Sequence, residues 1–216
     1  MMEEYLKPAR YLDSDHERVI SYAREHTRGI PTRKDQALAL YYAIRDGFRY
    51  NPYILDLSTE GLKASNLTRR NYGYCVEKAA LLAASARVLG IPSRVGFANV
   101  TNHLGFDKYV EILRSNVLVF HGYTDLYINR QWVKATPAFN RTLCHKLNVP
   151  PLDFNGEEDS IFQPYNQEGG GYMEYVTDHG VFNDIPRERM INALQHQYPH
   201  LFTGEKGREY GFEITV

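Results

Sequence analysis

The chain is poor in cysteine, with two among 216 residues, and no apolar run approaches the ~18 residues that a membrane-spanning helix requires. Two cysteines make no disulfide framework. The net charge of −1 leaves no electrostatic case for nucleic acid or an anionic membrane as a partner. Paired Cys or His at zinc-ligand spacing is missing, and His196 and His200 are split by Pro199. There is no Gly-x-x-x-x-Gly-Lys phosphate loop, and Gly169-Gly170-Gly171 follows no strand-to-helix signal. No metal or cofactor is therefore expected. The first residues, Met1 to Lys7, are acidic and carry no apolar stretch, which predicts no signal peptide and a reducing cytoplasm that keeps both thiols free.

What the chain does have is a 43% hydrophobic content, enough for a packed core, and seventeen tyrosines suited to half-buried sheet faces and clefts. Its first third reads as helical. A charged amphipathic stretch from His16 to His26 follows Ser14-Asp15. Thr32 and Asp35 form a capping pair ahead of Ala37, Leu40, Tyr41 and Ile44, which fall on one helical face. Gly47 ends that helix. After Pro92 the pattern turns to strands: Arg94 to Val100, Val117 to Ile128, and Gln131 to Thr136 returning through an Asn129-Arg130 turn. A short helical turn is read over Asp107 to Leu113. Helices first and an antiparallel sheet after predict an α+β domain. From Lys146 onward the chain is rich in turn residues, and Asp184 with Pro186 opens a last helix that ends near Pro199.

Cys75 lies where Gly73-Tyr74-Cys75-Val76-Glu77-Lys78-Ala79-Ala80-Leu81-Leu82 breaks a polar loop and opens an apolar helix ended by Gly90 and Pro92. A thiol in a first helical turn faces unpaired N–H groups and the positive end of the helix dipole, a setting expected to favour the thiolate. Free cysteines are more often small buried hydrophobes, and Cys144 is read that way. The preceding Arg69-Arg70 is read as a solvated turn rather than an anion site.

A thiolate needs a base, and the base needs an orienting group. Of eight histidines, His121 stands out, because it sits inside an otherwise apolar strand, where an imidazole costs desolvation unless paired. Alternation places Val117, Val119, His121, Tyr123, Asp125 and Tyr127 on one face. With Asn129-Arg130 as a two-residue loop, Tyr127 faces Trp132, Asp125 faces Lys134 as an ion pair, Tyr123 faces Thr136 and His121 faces Ala138. Thr136 is then the diagonal neighbour of His121, in the orienting slot.

Gly73 to Ala79 followed by Arg87-Val88-Leu89-Gly90-Ile91-Pro92-Ser93-Arg94-Val95 resembles the cysteine motif of the transglutaminase-like superfamily. His121-Gly122-Tyr123-Thr124-Asp125-Leu126-Tyr127 with Trp132-Val133 resembles its histidine motif, and Ala37 to Tyr50 its preceding helix. The resemblance implies a papain-like Cys-His-Asp triad and acyl transfer through a thioester. The family pattern Asp-Pro-Thr after the tryptophan is replaced, so that Thr136 stands where the aspartate belongs. Threonine accepts a hydrogen bond from imidazole but brings no charge. Asn140 is a second orienter within reach in sequence, and Glu174 or Asp178 supplies a carboxylate from the C-terminal part.

The expectation is a transglutaminase-like, papain-like α+β core over 1–145, with an extension over 146–216 packed on it as a lid or a wrap. The lid reading rests on its turns, on Gly169 to Gly171 and on Phe162, Tyr165, Tyr172 and Tyr175. Cys75 attacks the carbonyl of a peptide, protein or amide substrate. His121 moves the proton, Thr136 or Asn140 orients His121, and the Cys75 amide with a tyrosine such as Tyr50 holds the oxyanion. The rival expectation is a weakened domain that binds a peptide or protein, for which the neutral Thr136 speaks.

Overall fold

The computed structural model describes residues 2–102, 107–161, 173–203 and 211–216. Gly169 to Gly171, Phe162, Tyr165 and Tyr172 lie outside them.

Helix α1 (Glu17–His26) starts one residue after the stretch read from His16, and the His16 side chain caps it by accepting from the Arg18 amide at 3.2 Å. Helix α2 (Arg33–Gly47) begins as expected, with the Thr32 hydroxyl accepting from the Asp35 amide at 3.1 Å. Ala37, Leu40, Tyr41 and Ile44 are fully buried on its inner face. Strands β1 (Arg49–Tyr50) and β2 (Ile54–Asp56) and the short α3 (Ala64–Leu67) lead to β3 (Tyr72–Gly73), which pairs in parallel with β1. Helix α4 (Cys75–Val88) is buried from Cys75 to Arg87, its mostly apolar sequence interrupted by the buried Glu77, Lys78, Ser85 and Arg87. It runs through the middle of the domain, with α1, α2 and α3 on one side and the main sheet on the other. Gly90, at φ +70°, turns the chain out of it.

The main sheet is antiparallel, in the order β6-β5-β4-β7. It comprises β4 (Ser93–Asn102), β5 (Val117–Ile128), β6 (Gln131–Ala135) and β7 (Met173–Phe182), with α5 (Asp107–Leu113) between β4 and β5. Asn129 and Arg130 both have positive φ, which closes the β5–β6 hairpin in two residues. The pairs Ile128–Gln131, Tyr127–Trp132 and Asp125–Lys134 form as read from the sequence. Two expectations fail. The Asp125 carboxylate pairs across the other edge with Arg94, at 2.8 Å, because Arg94 lies directly opposite on β4. The hairpin ladder also stops at Ala135, and the Thr136 amide turns away to donate to the Ser160 carbonyl at 2.8 Å.

Residues beyond α6 (Arg141–Lys146) are sewn into the domain. The Tyr41 hydroxyl donates to the Leu152 carbonyl at 2.7 Å, and β7 pairs with β4 along its length. The Asp184 carboxylate accepts from the Tyr11 and Leu12 amides instead of capping α7 (Arg187–Gln197). Strand β8 (Glu213–Thr215) pairs in parallel with β2. Among the described residues, no helix is long and apolar enough to cross a membrane.

Candidate active site

The start of α4 is set by Glu77, whose carboxylate accepts from the Tyr74 amide at 3.0 Å, a reach-back from the third helical position. The same buried carboxylate pairs with Arg70. Arg70 is thus a support for the helix start, not a solvated residue. The helix N-terminus meets β5 at Gly122. A β-carbon built there lies 2.9 Å from the Val76 Cα, so only glycine allows this approach. Residue 121, next to it, is carried to the same end of the helix.

Cys75 and His121 line one pocket. Its volume is about 40 Å³, room for one or two waters and not for a substrate side chain. Tyr50, Leu55, Tyr109 and Leu118 also line it, as do Met190 and Leu194 on α7 and Tyr198 just after it. The Tyr198 hydroxyl accepts from the Val119 amide at 3.0 Å and donates to the Val117 carbonyl at 2.5 Å, which fastens the end of α7 to β5. A larger open depression of about 470 Å³ beside α2, lined by Tyr42, Arg141, Asp153 and Ser160 among others, holds neither cysteine nor histidine.

The expected lowering of the Cys75 pKa by its helix position is overturned. Burial dominates and pushes the thiol up to about 11, although the Gly122, Val76 and Cys75 amides and the Tyr50 hydroxyl act in the opposite direction. Burial also pushes His121 down to about 4. In this closed arrangement the neutral thiol and neutral imidazole are the favoured forms. Cys144, fully buried on α6, is likewise pushed up to about 11 by burial.

His121 owes its place to a β-bulge that the alternation rule does not anticipate. Ala98 pairs with His121 and Val100 with Leu118, so β5 spends two residues, Val119 and Phe120, against Asn99 alone. Phe120 takes φ +55°, which is costly for an aromatic residue. The Asn99 side-chain oxygen accepts from its amide at 3.1 Å, and the His179 ring stacks on it at 4.2 Å. The bulge reverses the alternation upstream. Leu118, not Val117 or Val119, shares the His121 face.

The two orienting candidates lie near one another in sequence but do different things. Thr136 is buried, and its hydroxyl oxygen has no hydrogen-bond partner among the described residues. The Asn140 side-chain oxygen accepts from the Tyr50 amide at 2.9 Å. Neither forms a hydrogen bond with His121. On β7, Glu174 and Asp178 are exposed, and Asp178 accepts from the Gly180 amide.

The model of the transglutaminase-like superfamily matches residues 20–137, more than half of the chain and the span that carries Cys75, His121 and Thr136. The chain belongs to this superfamily. No curated protein matches it. Among solved structures, it is similar to a candidate cysteine protease from Cytophaga hutchinsonii, at 18% identity and a TM-score of 0.49, over 84% of this chain and 54% of that one. A candidate protease from Parabacteroides distasonis ATCC 8503 follows at 16% identity and a TM-score of 0.39, over 62% of this chain and 25% of that one. The chain thus spans about half and about a quarter of their lengths. At these identities and TM-scores neither likeness bears on what the chain does.

This transglutaminase-like domain also contains a buried cation that its motifs do not mark. Lys78, one turn after Cys75, is fully buried. Its ammonium donates to the carbonyls of Arg45 at 2.9 Å, Phe48 at 2.9 Å and Ala138 at 2.7 Å. Three donors meet three acceptors, two of them at the carbonyl-rich end of α2. Burial nevertheless pulls its pKa down to about 7. Lys78 joins the helix that begins at Cys75 to the stretch between Thr136 and Asn140. A lysine immediately ahead of an apolar helix run, Ala79 to Ala84, was the available signal.

Proposed function

We propose that the chain is a cysteine-dependent acyl transferase or amide hydrolase that acts on a peptide, protein or amide-containing substrate. The observation that carries this reading is the meeting of Cys75, from a helix N-terminus, and His121, from a bulged strand, in one pocket. His121 takes the Cys75 proton, and the thiolate attacks the carbonyl carbon, forming a C–S bond as the C=O electrons move to oxygen. The Cys75 amide and the Tyr50 hydroxyl, which both interact with the Cys75 sulfur, are the proposed donors to that oxyanion. Collapse breaks the C–N bond, the amine leaves with the proton from His121, and water or a second amine then resolves the thioester. With about 40 Å³ of space the pocket must widen before substrate enters. In this reading α7 with Tyr198 is the moving wall, and opening rehydrates the thiol and imidazole so that charge transfer between them becomes less costly. Thr136 is the proposed orienting residue for His121 once the pocket opens, with Asn140 the alternative.

The test is turnover of peptide amides and esters, followed both as hydrolysis and as incorporation of a labelled amine. Cys75→Ala is expected to abolish both, and His121→Ala to lower them by about 10²-fold or more. Wild-type turnover no faster than that of Cys75→Ala sinks the enzyme reading. The second reading, a peptide-binding module, draws on the neutral Thr136. It gains ground if Cys75→Ala binds peptide as the wild type does while neither turns it over.

A further inference from the structure

The pocket over Cys75 has a chemical character that narrows its occupant. Among the described residues fourteen line it, and none of these is Asp, Glu, Lys or Arg. Leu55, Leu118 and Phe120 line it from the buried core, and Met190 and Leu194 line it from α7. Of its tyrosine hydroxyls, that of Tyr198 is already committed to the Val117 carbonyl and the Val119 amide. A charged group entering here would lose its water with no counter-charge in return. The space as it stands, about 40 Å³, is too small for a whole side chain. Its contents therefore depend on how far α7 withdraws, and α7 presents apolar side chains to whatever enters.

We propose that the space between α7 and the Cys75–His121 pair is the subsite for an uncharged, apolar side chain next to the scissile carbonyl. Met190 and Leu194 are its specificity-determining wall, and Tyr198 is the latch that limits its size. The proposal rests on the acyl-transfer reading above and names the substrate class within it: amides of hydrophobic acyl groups, and not those with acidic or basic side chains.

The experiment uses four reagents on the full chain: iodoacetamide, N-benzyl iodoacetamide, anionic iodoacetate and a cationic N-(2-aminoethyl) iodoacetamide. Rates of Cys75 modification are read by peptide mass mapping and divided by each reagent's rate with N-acetylcysteine. The normalised rate for the benzyl reagent is expected to exceed that of either charged reagent at least tenfold. Leu194→Glu is expected to erase that preference and to favour the cationic reagent. Leu194→Ala keeps the preference for uncharged reagents while admitting the benzyl group faster. Circular dichroism verifies that each variant is folded. Equal normalised rates across the four reagents overturn the proposal, as does a native protein in which none of them reaches Cys75. The catalytic reading fails on a separate axis. If the apolar preference holds but Cys75→Ala turns substrate over as fast as wild type, the subsite stands and the acyl-transfer role of Cys75 does not. If turnover depends on Cys75 but the preference is flat, the reverse is true.

Discussion

Gly122 and Val76 meet backbone to backbone. A β-carbon on Gly122 would sit 2.9 Å from the Val76 Cα and 3.2 Å from its nitrogen, so the strand bearing His121 and the helix bearing Cys75 touch where no side chain fits. The contacted atoms are backbone inside a buried helix and have little freedom to move. Gly122→Ala is expected to force β5 away from α4 and to destabilise the domain by about 1–3 kcal/mol. Urea denaturation measures the loss. Activity should fall further than stability does, because the amide beside the Cys75 sulfur moves with the strand. An alanine variant of wild-type stability and activity refutes the close-approach argument.

Lys78→Met replaces an ammonium by an apolar chain of similar length and leaves the carbonyls of Arg45, Phe48 and Ala138 without their donor. Buried acceptors stripped of partners cost about 1–3 kcal/mol each, with incomplete additivity, so a loss above about 3 kcal/mol is expected. Lys78→Arg should rescue little, since a planar guanidinium cannot reach three converging carbonyls as an ammonium does. Equal stability of Lys78→Met and wild type would show that the clamp contributes nothing net.

Much of this arrangement was legible in the sequence, and the exceptions share a cause. The helix over Arg33–Gly47, the strand over Val117–Ile128 and the turn at Asn129-Arg130 follow from periodicity and turn chemistry, which are local. The pairing of Asp125 with Arg94 instead of Lys134 depends on a third strand, which hairpin reasoning does not contain. The bulge at Val119 and Phe120 needs Asn99 and His179 from two other strands to hold it. The Cys75 ionisation expected from its helix end was right in sign for the local amides but wrong in sum, because burial outweighs them, in a pocket partly lined by Met190, Leu194 and Tyr198, more than a hundred residues away.

Tyr198→Phe removes the hydroxyl that accepts from the Val119 amide and donates to the Val117 carbonyl. The ring still packs, so a modest loss of about 1 kcal/mol is expected. The informative change is local. The Val119 amide should exchange hydrogen faster, and bulky alkylating reagents should reach Cys75 sooner, with iodoacetamide affected less. Unchanged exchange at Val119 and unchanged alkylation would mean that α7 is held by its apolar contacts alone.

The buried imidazole predicts an acid-side weakness. The folded His121 pKa of about 4 lies below its ordinary value of 6.5. Above pH 6.5 the ring is neutral in both states and stability is unaffected. As the pH falls from 6.5 to 4 the unfolded chain takes up a proton that the folded one refuses, and stability is lost, by up to about 3 kcal/mol. Glu77, raised by burial to about 7, works in the opposite sense between 7 and 4.5. Comparing wild type with His121→Gln cancels that contribution. Measured by denaturant midpoint, the wild type should lose more stability than the variant between pH 7 and pH 4.5. Parallel losses would mean that His121 is protonated in the fold, with a partner not seen in the closed form.

Thr136 makes the sharpest test, because its two expected effects have opposite signs. Its buried hydroxyl oxygen has no partner among the described residues, so Thr136→Val should leave the resting fold as stable as wild type or raise it by up to about 1 kcal/mol. If the hydroxyl turns to hold the His121 ring once the pocket opens, the same variant should lose turnover, a combination that a purely packing role does not produce. Thr136→Asp should act the other way. A buried carboxylate costs stability, but beside His121 it favours the imidazolium and so the thiolate. The pH dependence of Cys75 alkylation, followed in all three proteins made permissive by Tyr198→Phe, is expected to shift to lower pH with aspartate and to higher pH with valine. Three superimposed curves with unchanged turnover would remove Thr136 from the site. The orienting role would then pass to Asn140, whose side-chain oxygen must first release the Tyr50 amide.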